Sequence, residues 1–498
     1  MMKSHSCFIY FLITLISLCL PIVSYSKSQL QLCESDDPIK KEQYFISTTG
    51  NNHIGDGSQN KPWKSIQGAI NKVPDGSTIL AKPGVYEGST NIKKRFDLGI
   101  IIKSEVPYAA KLTNNKRVIA FTSEASRITL EGFEITHSST SSSPLVVHVD
   151  GGGTTSVNHI TIKNNIIHDS FNNDLLKINN GAENIIVSCN MFYNQGDSDE
   201  HIDINSVNNI DITGNLFFNS FEMSNRQVSG KSSSFIVIKD SSDNSDNILG
   251  SGNINIDRNI FFNWQGSIGH GYILIGEDGK SYYEATDVSI FNNLFLGNSN
   301  ISMRSPLGIK GAKNIYFYNN TVTGDLPSNA YAIRINREGD NPINNNIALF
   351  NNIWNDTSGT MGQGKHELFL DFSDVEINQL DSYYFNNNLV YNGGNKIPYS
   401  FLDKINPADD KKLKSVDPEF PEQIDLIIPR WIEKKQKFTD GSPSIEKVYI
   451  NLLYLYGLPK SPHILYDITQ EDKNPKLDIR GNTRTTPYSL GAFEQVNN

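Results

Sequence analysis

Between residue 128 and about residue 395 the chain alternates short apolar runs with asparagine-rich turns, and one phrase keeps returning. It is seen from Ile160 to Ile167, Ile210 to Asn219, Ile254 to Asn263, Val288 to Phe295, Ile315 to Val322, Ile347 to Trp354 and Tyr384 to Val390. Each copy has period-two alternation, then a tight polar turn, then a second apolar run, and so reads as strand, turn, strand. Aligning the turn asparagines gives Asn165, Asn190, Asn215, Asn259, Asn293, Asn320, Asn352 and Asn388, with a shortest spacing of 25 residues and longer intervals elsewhere. A constant minimum with variable insertions marks a solenoid.

A coil of that length holding three short strands predicts an all-β chain, a right-handed parallel β-helix whose rungs bury their apolar faces only by stacking. The asparagines fall at one corner of every coil, where Asn tolerates left-handed backbone and side-chain amides can bond up and down the stack. Uneven intervals argue against a propeller, and the leucine pattern of leucine-rich repeats is absent. Alternation turns Phe217, Phe261 and Phe295 inward, and places Cys189 with Ile185 and Val187 as a buried, unpaired thiol.

Ahead of the coils, Trp63, Ile66, Ala69, Ile70 and Val73 have helical spacing. They predict an amphipathic helix over 63–73 that covers the open end of the first coil. The chain then divides into a leader (1–26), an N-terminal cap with first coils (27–127), the repeat region (128–395) and a Pro- and Lys-rich C-terminal cap of irregular structure (396–498). Lys3 and His5, the apolar run Cys7 to Leu20 and the small-residue pattern Ser24-Tyr25-Ser26 read as a secretory signal peptide cut near Ser26. The run's length of 14 residues falls short of the roughly 20 that span a bilayer. The mature protein is expected to be exported, soluble and monomeric, with no membrane span.

Composition sharpens this picture in two ways. The net charge of −10 becomes more negative when Lys3 leaves with the leader, which argues against nucleic acid as a partner. Only Cys33 and Cys189 remain, so at most one disulfide is available and the core must carry stability.

Matching the inward isoleucines Ile178, Ile204, Ile238, Ile275, Ile309 and Ile335 places the residues after them in one outward column: Asn179, Asn205, Lys239, Gly276, Lys310 and Asn336. A second column holds Lys177, Asp203, Val237, Leu274, Gly308 and Arg334. Insertions at 220–233 and 241–253 flank the Lys239 strand and could wall a groove. Ahead of it, Gly196 to Asn205 packs four carboxylates and a histidine into ten residues, and alternation turns His201, Asp203 and Asn205 outward. The groove thus mixes Asp174, Asp199, Glu200, Asp203, Asp240 and Glu277 with Lys177, Lys239, Lys310, Arg334 and Arg304. Such acids and lysines can simply neutralise one another, and acidic Asn-rich runs are ordinary turn chemistry. Local cations on an acidic protein also suit an anionic ligand.

The opening phrases around Tyr44, Gly55, Pro62-Trp63 and Gly76 to Tyr86, and the closing phrases from Asp478 and Ser489, resemble exported β-helical polysaccharide lyases. Asp174, Asp199, Glu200, Asp203 and Lys239 at their spacings resemble the calcium-and-lysine arrangement of family 9 pectate lyases, with Glu200 standing where that pattern has Asp. The resemblance implies an acidic polysaccharide substrate, one Ca²⁺ on Asp174, Asp199, Glu200 and Asp203, and Lys239 as the base of a β-elimination. Lys310, Arg334, Arg304, Lys177 and Asn205 would then bind substrate. Oxygen donors favour Ca²⁺ over Zn²⁺, and His201 is expected to be orienting or structural. Three other readings stay open. A glycoside hydrolase could pair Asp203 with Asp240 or Glu277, a C5-epimerase would share the proton abstraction, and a glycan-binding protein would need neither lysine nor metal.

Overall fold

A computed structural model describes residues 33, 42–139, 143–243, 245–299, 301–324, 330–361, 372–400, 402–422, 426–460 and 473–494. The expected signal peptide and its cleavage site lie outside the described residues.

Each complete coil contributes one strand to each of three parallel sheets, which have 10, 11 and 12 strands because the end coils are partial, and within each sheet the strand order follows the chain. This is the right-handed parallel β-helix anticipated from the repeat. The groove sheet runs from Thr90–Ile92 to Ser373–Asp374, the flank sheet from Gln43–Ile46 to Tyr383–Asn386, and the back sheet from Gly84–Glu87 to Leu389–Asn392. The six isoleucines of the groove sheet lie in register and are fully buried. Phe192, Phe217, Phe261 and Phe295 stack in file from the back sheet, with centroids 5.2, 4.9 and 4.8 Å apart.

The asparagine ladder is continuous from Asn165 to Asn388. Each Nδ2 donates to the Oδ1 of the next, at 3.1 Å from Asn165 to Asn190 and 3.0 Å from Asn215 to Asn259, and the same Oδ1 takes a backbone N–H from the preceding rung. Asp410 ends the ladder by accepting the N–H groups of Asn387 and Asn388 at 2.9 and 2.8 Å. The left-handed residue is not the ladder asparagine, as expected, but the one before it: Asn164, Cys189, Gly214, Arg258, Asn292, Asn319, Asn351 and Asn387 all have φ between 52° and 68°. That corner ends the period-two alternation.

Cys189 therefore does not follow Ile185 and Val187 inward. It is buried, but its sulfur is bonded to Cys33, with the Cα atoms 5.8 Å apart and a sequence separation of 156. The expectation of an unpaired thiol is corrected accordingly.

Of the expected helix over 63–73, Ile66–Ala69 is helical, capped by Ser65 Oγ accepting from Gly68 N. Trp63 instead bridges Ile46 as extended chain. The expected apolar set, Trp63, Ile66, Ala69, Ile70 and Val73, is nonetheless buried as one patch. At the other end Lys414 pairs with the last back strand, while the helix Ile445–Leu452 lies along the outer face of the back sheet. There Ile445, Val448, Tyr449 and Leu452 pack with Ile166, Leu216, Ile260 and Leu294. Being covered on both faces, back strands such as Leu216–Phe218 read as unbroken apolar runs.

Candidate functional site

One predicted column is in register throughout, whereas the other is interrupted at Gly276, which lies past the end of its strand with φ 76° and leaves Lys310 and Asn336 as a separate pair. Lys177, Asp203, Val237, Leu274, Gly308 and Arg334 are successive register partners, as are Asn179, Asn205 and Lys239. Period-two pleating on a sheet buried beneath makes this face the outer one. The two insertions bracket the Lys239 strand. Residue 231 accepts the N–H of Ser198 in the acidic run. Asp240 holds the other insertion by accepting from Ser206 Oγ (2.8 Å), Ser242 N (2.8 Å) and Gly250 N (2.7 Å).

Asp174, Asp199 and Glu200 each offer a carboxylate oxygen within 4.8 Å of the others. They come together because the turn before Leu176–Asn179 stacks under the turn before Ile202–Asn205, and Glu200 N donates to Asp174 Oδ1 at 3.0 Å. Burial and the neighbouring Asp203 push Asp174 up to about 6, burial and Asp174 push Asp199 up to about 7, and Glu200 is raised well above the usual range by the same causes. Asp203, the fourth expected ligand, is not among the three that come within 4.8 Å, but it lies close enough for its charge to raise all three. One of its oxygens is on Lys177 Nζ, and its buried Oδ1 has no hydrogen-bond partner among the described residues. An all-oxygen set with no direct ion-pair partner among the described residues, and with an orphaned carboxylate oxygen beside it, fits a hard divalent cation.

Lys239 Nζ lies 2.6 Å from Glu277 Oε2. Burial works to lower its pKa, but Asp203, Glu277 and Glu200 outweigh burial and hold the ammonium well above its ordinary value. The loop that carries Glu277 is fixed by Glu284, a fully buried carboxylate accepting four successive backbone N–H groups, from Glu277 and Asp278 (3.0 Å each), Gly279 (2.8 Å) and Lys280 (3.2 Å), and the Asn341 amide at 2.8 Å. Sequence reasoning missed Glu284; the only signal was an acid a few residues after the Gly-rich turn Gly276 to Gly279.

Further along the groove, Lys310 is paired with Glu338, while Arg304 Nη2 and Arg334 Nε share Asp374 Oδ2 at 2.7 and 3.1 Å. Glu338 and Asp374 were not foreseen. Asn205 is engaged with the turn after Lys239, donating to Ser241 Oγ at 2.5 Å and accepting from Ser241 N at 3.1 Å.

Two groove assignments need correction. His201 does not face outward: the strand begins only at Ile202, and the imidazole is fully buried, stacked on Phe235 at 4.2 Å with Nε2 on Asn219 Oδ1 at 3.0 Å. Burial lowers its pKa to about 3, so it is a neutral core residue. Asp240 is fully buried in the turn it organises, which removes it as a partner for Asp203 in a paired-carboxylate site. A surface trough of about 680 Å³ lies instead over the flank sheet, among His159, Asn184, Asp211, Asn255 and Tyr316, away from the groove residues.

A scan against protein-family models finds no match, and a search of curated proteins finds no similar sequence. Among solved structures the chain is similar to a pectate lyase, Pel9A, with TM-score 0.52 and 15% identity over 92% of this chain and 98% of that one. It is also similar to a rhamnogalacturonan lyase (TM-score 0.44, 12% identity, 84% and 99% covered) and to an alginate lyase from Paenibacillus sp. (TM-score 0.38, 14% identity, 58% and 91% covered). At these identities the likeness is one of fold.

Proposed function

We propose that this chain is an exported polysaccharide lyase that cleaves a uronic-acid polymer by calcium-assisted β-elimination, with Lys239 as the base. The observation that carries the reading is the placement of Lys239 near a largely buried three-carboxylate cluster at one side of the groove sheet, close enough for Glu200 to act on its charge, with its register partner Asn205 lying two residues beyond Asp203. The motif resemblance to family 9 pectate lyases supports the assignment, and the β-helix shared with a pectate lyase is compatible with it. No helix among the described residues is long and apolar enough to cross a membrane, and the Cys33–Cys189 disulfide suits an oxidising compartment.

The chemistry follows from the substrate. The C5 hydrogen of a uronate is weakly acidic because the enolate formed on its loss is delocalised into the carboxylate. Lys239 Nζ, as the free amine, takes that proton. The electron pair then forms the C4=C5 double bond, the C4–O bond breaks, and the departing oxygen takes a proton from solvent water, with the Lys239 ammonium returning its proton to solvent to complete the balance. Asp174, Asp199 and Glu200, with Asp203 Oδ1 in the same turn-and-strand unit, would hold Ca²⁺, which would supply positive charge for the substrate carboxylate and offset the acids that keep Lys239 protonated. Lys310, Arg304 and Arg334 exchange Glu338 and Asp374 for sugar carboxylates. Lys177 balances Asp203.

The test is incubation of purified protein with galacturonan, alginate and glycosaminoglycan, with and without chelator. An ultraviolet-absorbing unsaturated product that disappears with chelator is expected. Reducing ends without absorbance would mean hydrolysis, and inverted C5 configuration without cleavage would mean epimerisation.

A further inference from the structure

The groove continues toward the N-terminus beyond the residues discussed so far. His148 occupies the same column as Lys177 and Asp203, in register with Lys177 on one side and Ala120 on the other. Arg117, just before the Ile119–Thr122 strand, donates from Nη1 to His148 Nδ1 at 2.8 Å, and His148 Nε2 donates to Asn179 Oδ1 at 2.9 Å. Asn179 is two register steps from Lys239. A relay of three side chains therefore ties the guanidinium into the face that carries the base.

Charge separates Arg117 from the other groove cations. Lys177, Lys239, Lys310, Arg304 and Arg334 each have a carboxylate partner. Arg117 has an imidazole instead, and no carboxylate among the described residues forms an ion pair with it. Burial lowers the His148 pKa, which keeps Nδ1 an acceptor at neutral pH. One of five guanidinium donors is used by the ring, and the partly exposed group retains a fork suited to a planar carboxylate. Three strand spacings of about 4.8 Å separate the His148 strand from the Lys239 strand, roughly 14 Å in all, which is the reach of several sugar rings.

We propose that Arg117, positioned by His148, is a carboxylate subsite of the groove, binding a uronate several sugars from the one attacked by Lys239. The inference rests on the uronan reading above and adds a length requirement to it: short oligomers that fill only the region of Lys239 do not reach Arg117.

Calorimetry of the full chain with Ca²⁺ tests this in the Lys239→Arg background, which is expected to bind without cleaving, using oligogalacturonates and oligoalginates of two and of eight sugars on Lys239→Arg alone and combined with Arg117→Gln or Arg117→Lys, each checked for an unchanged melting temperature. Arg117→Gln should weaken the eight-sugar ligand by about tenfold or more, leave the two-sugar ligand unchanged and flatten the salt dependence, with Arg117→Lys in between. Eight-sugar affinity within about twofold of Lys239→Arg alone, or equal loss for both lengths, overturns the subsite. Binding of neither series by Lys239→Arg and no unsaturated product from the wild type overturn the uronan reading itself.

Discussion

Lys239 Nζ and Glu277 Oε2 lie 2.6 Å apart across neighbouring coils, and Glu277 belongs to a loop whose backbone is clasped by Glu284. The lysine is thereby held as a cation in a groove where the proposed reaction needs a free amine. Glu277 is one of the carboxylates that raise its pKa, so Glu277→Gln should lower it. Because the base is active when neutral, the acidic limb of the kcat/KM profile should move to lower pH in this variant. A limb that stays in place or moves upward would show that Glu277 does not set the protonation of the base.

The acidic triad gives a linkage prediction. Asp174 and Asp199 have folded pKa values of about 6 and about 7, above those of unfolded carboxyls near 4. Between those limits the folded chain binds more protons than the unfolded one, so the stability of metal-free protein should fall as pH rises from about 4 to 7. Calcium binds the ionised form, so the rise in Tm on adding it should be larger at pH 7.5 than at pH 5. Thermal melts with Ca²⁺ or EDTA decide this, and an equal rise at both pH values would contradict the site.

The fold depends on interior stacks. Phe261 is fully buried between Phe217 and Phe295, and Phe261→Ala should cost about 3 to 5 kcal/mol in denaturant unfolding. A cost below about 1 kcal/mol would mean the ring is not part of the core.

The disulfide closes a long loop. Cys33→Ser should lower stability by about 2 to 5 kcal/mol and leave Cys189 detectable by thiol reagents in denaturant, whereas the oxidised wild type should show no free thiol at Cys33 or Cys189. Stoichiometric labelling of Cys189 in the native wild type would contradict the bond.

The repeat made the architecture legible because the ladder asparagines cannot be moved without breaking the bonds above and below them. The same regularity placed Asp203, Lys239, Lys310 and Arg334 on one face, since the sheet period is fixed at two. Errors arose where that period ends. Cys189 sits in a left-handed corner and turns out to Cys33, and His201 precedes its strand and turns into the core. Partners supplied across coils by loops of variable length were not legible: Glu338 for Lys310, Asp374 for Arg304 and Arg334, and the Glu284 clasp. Asp240 looked like a groove acid but is consumed by the turn of the 241–253 insertion.

The central claim is that Lys239 takes the proton, and Lys239→Arg is its most direct test. Arginine keeps the positive charge but, with a pKa above about 12, offers no neutral base near neutral pH. On whichever polymer yields unsaturated product with the wild type, absorbance-monitored turnover of Lys239→Arg should fall below detection while its Tm and calcium affinity stay near those of the wild type. Wild-type turnover in Lys239→Arg would contradict the account.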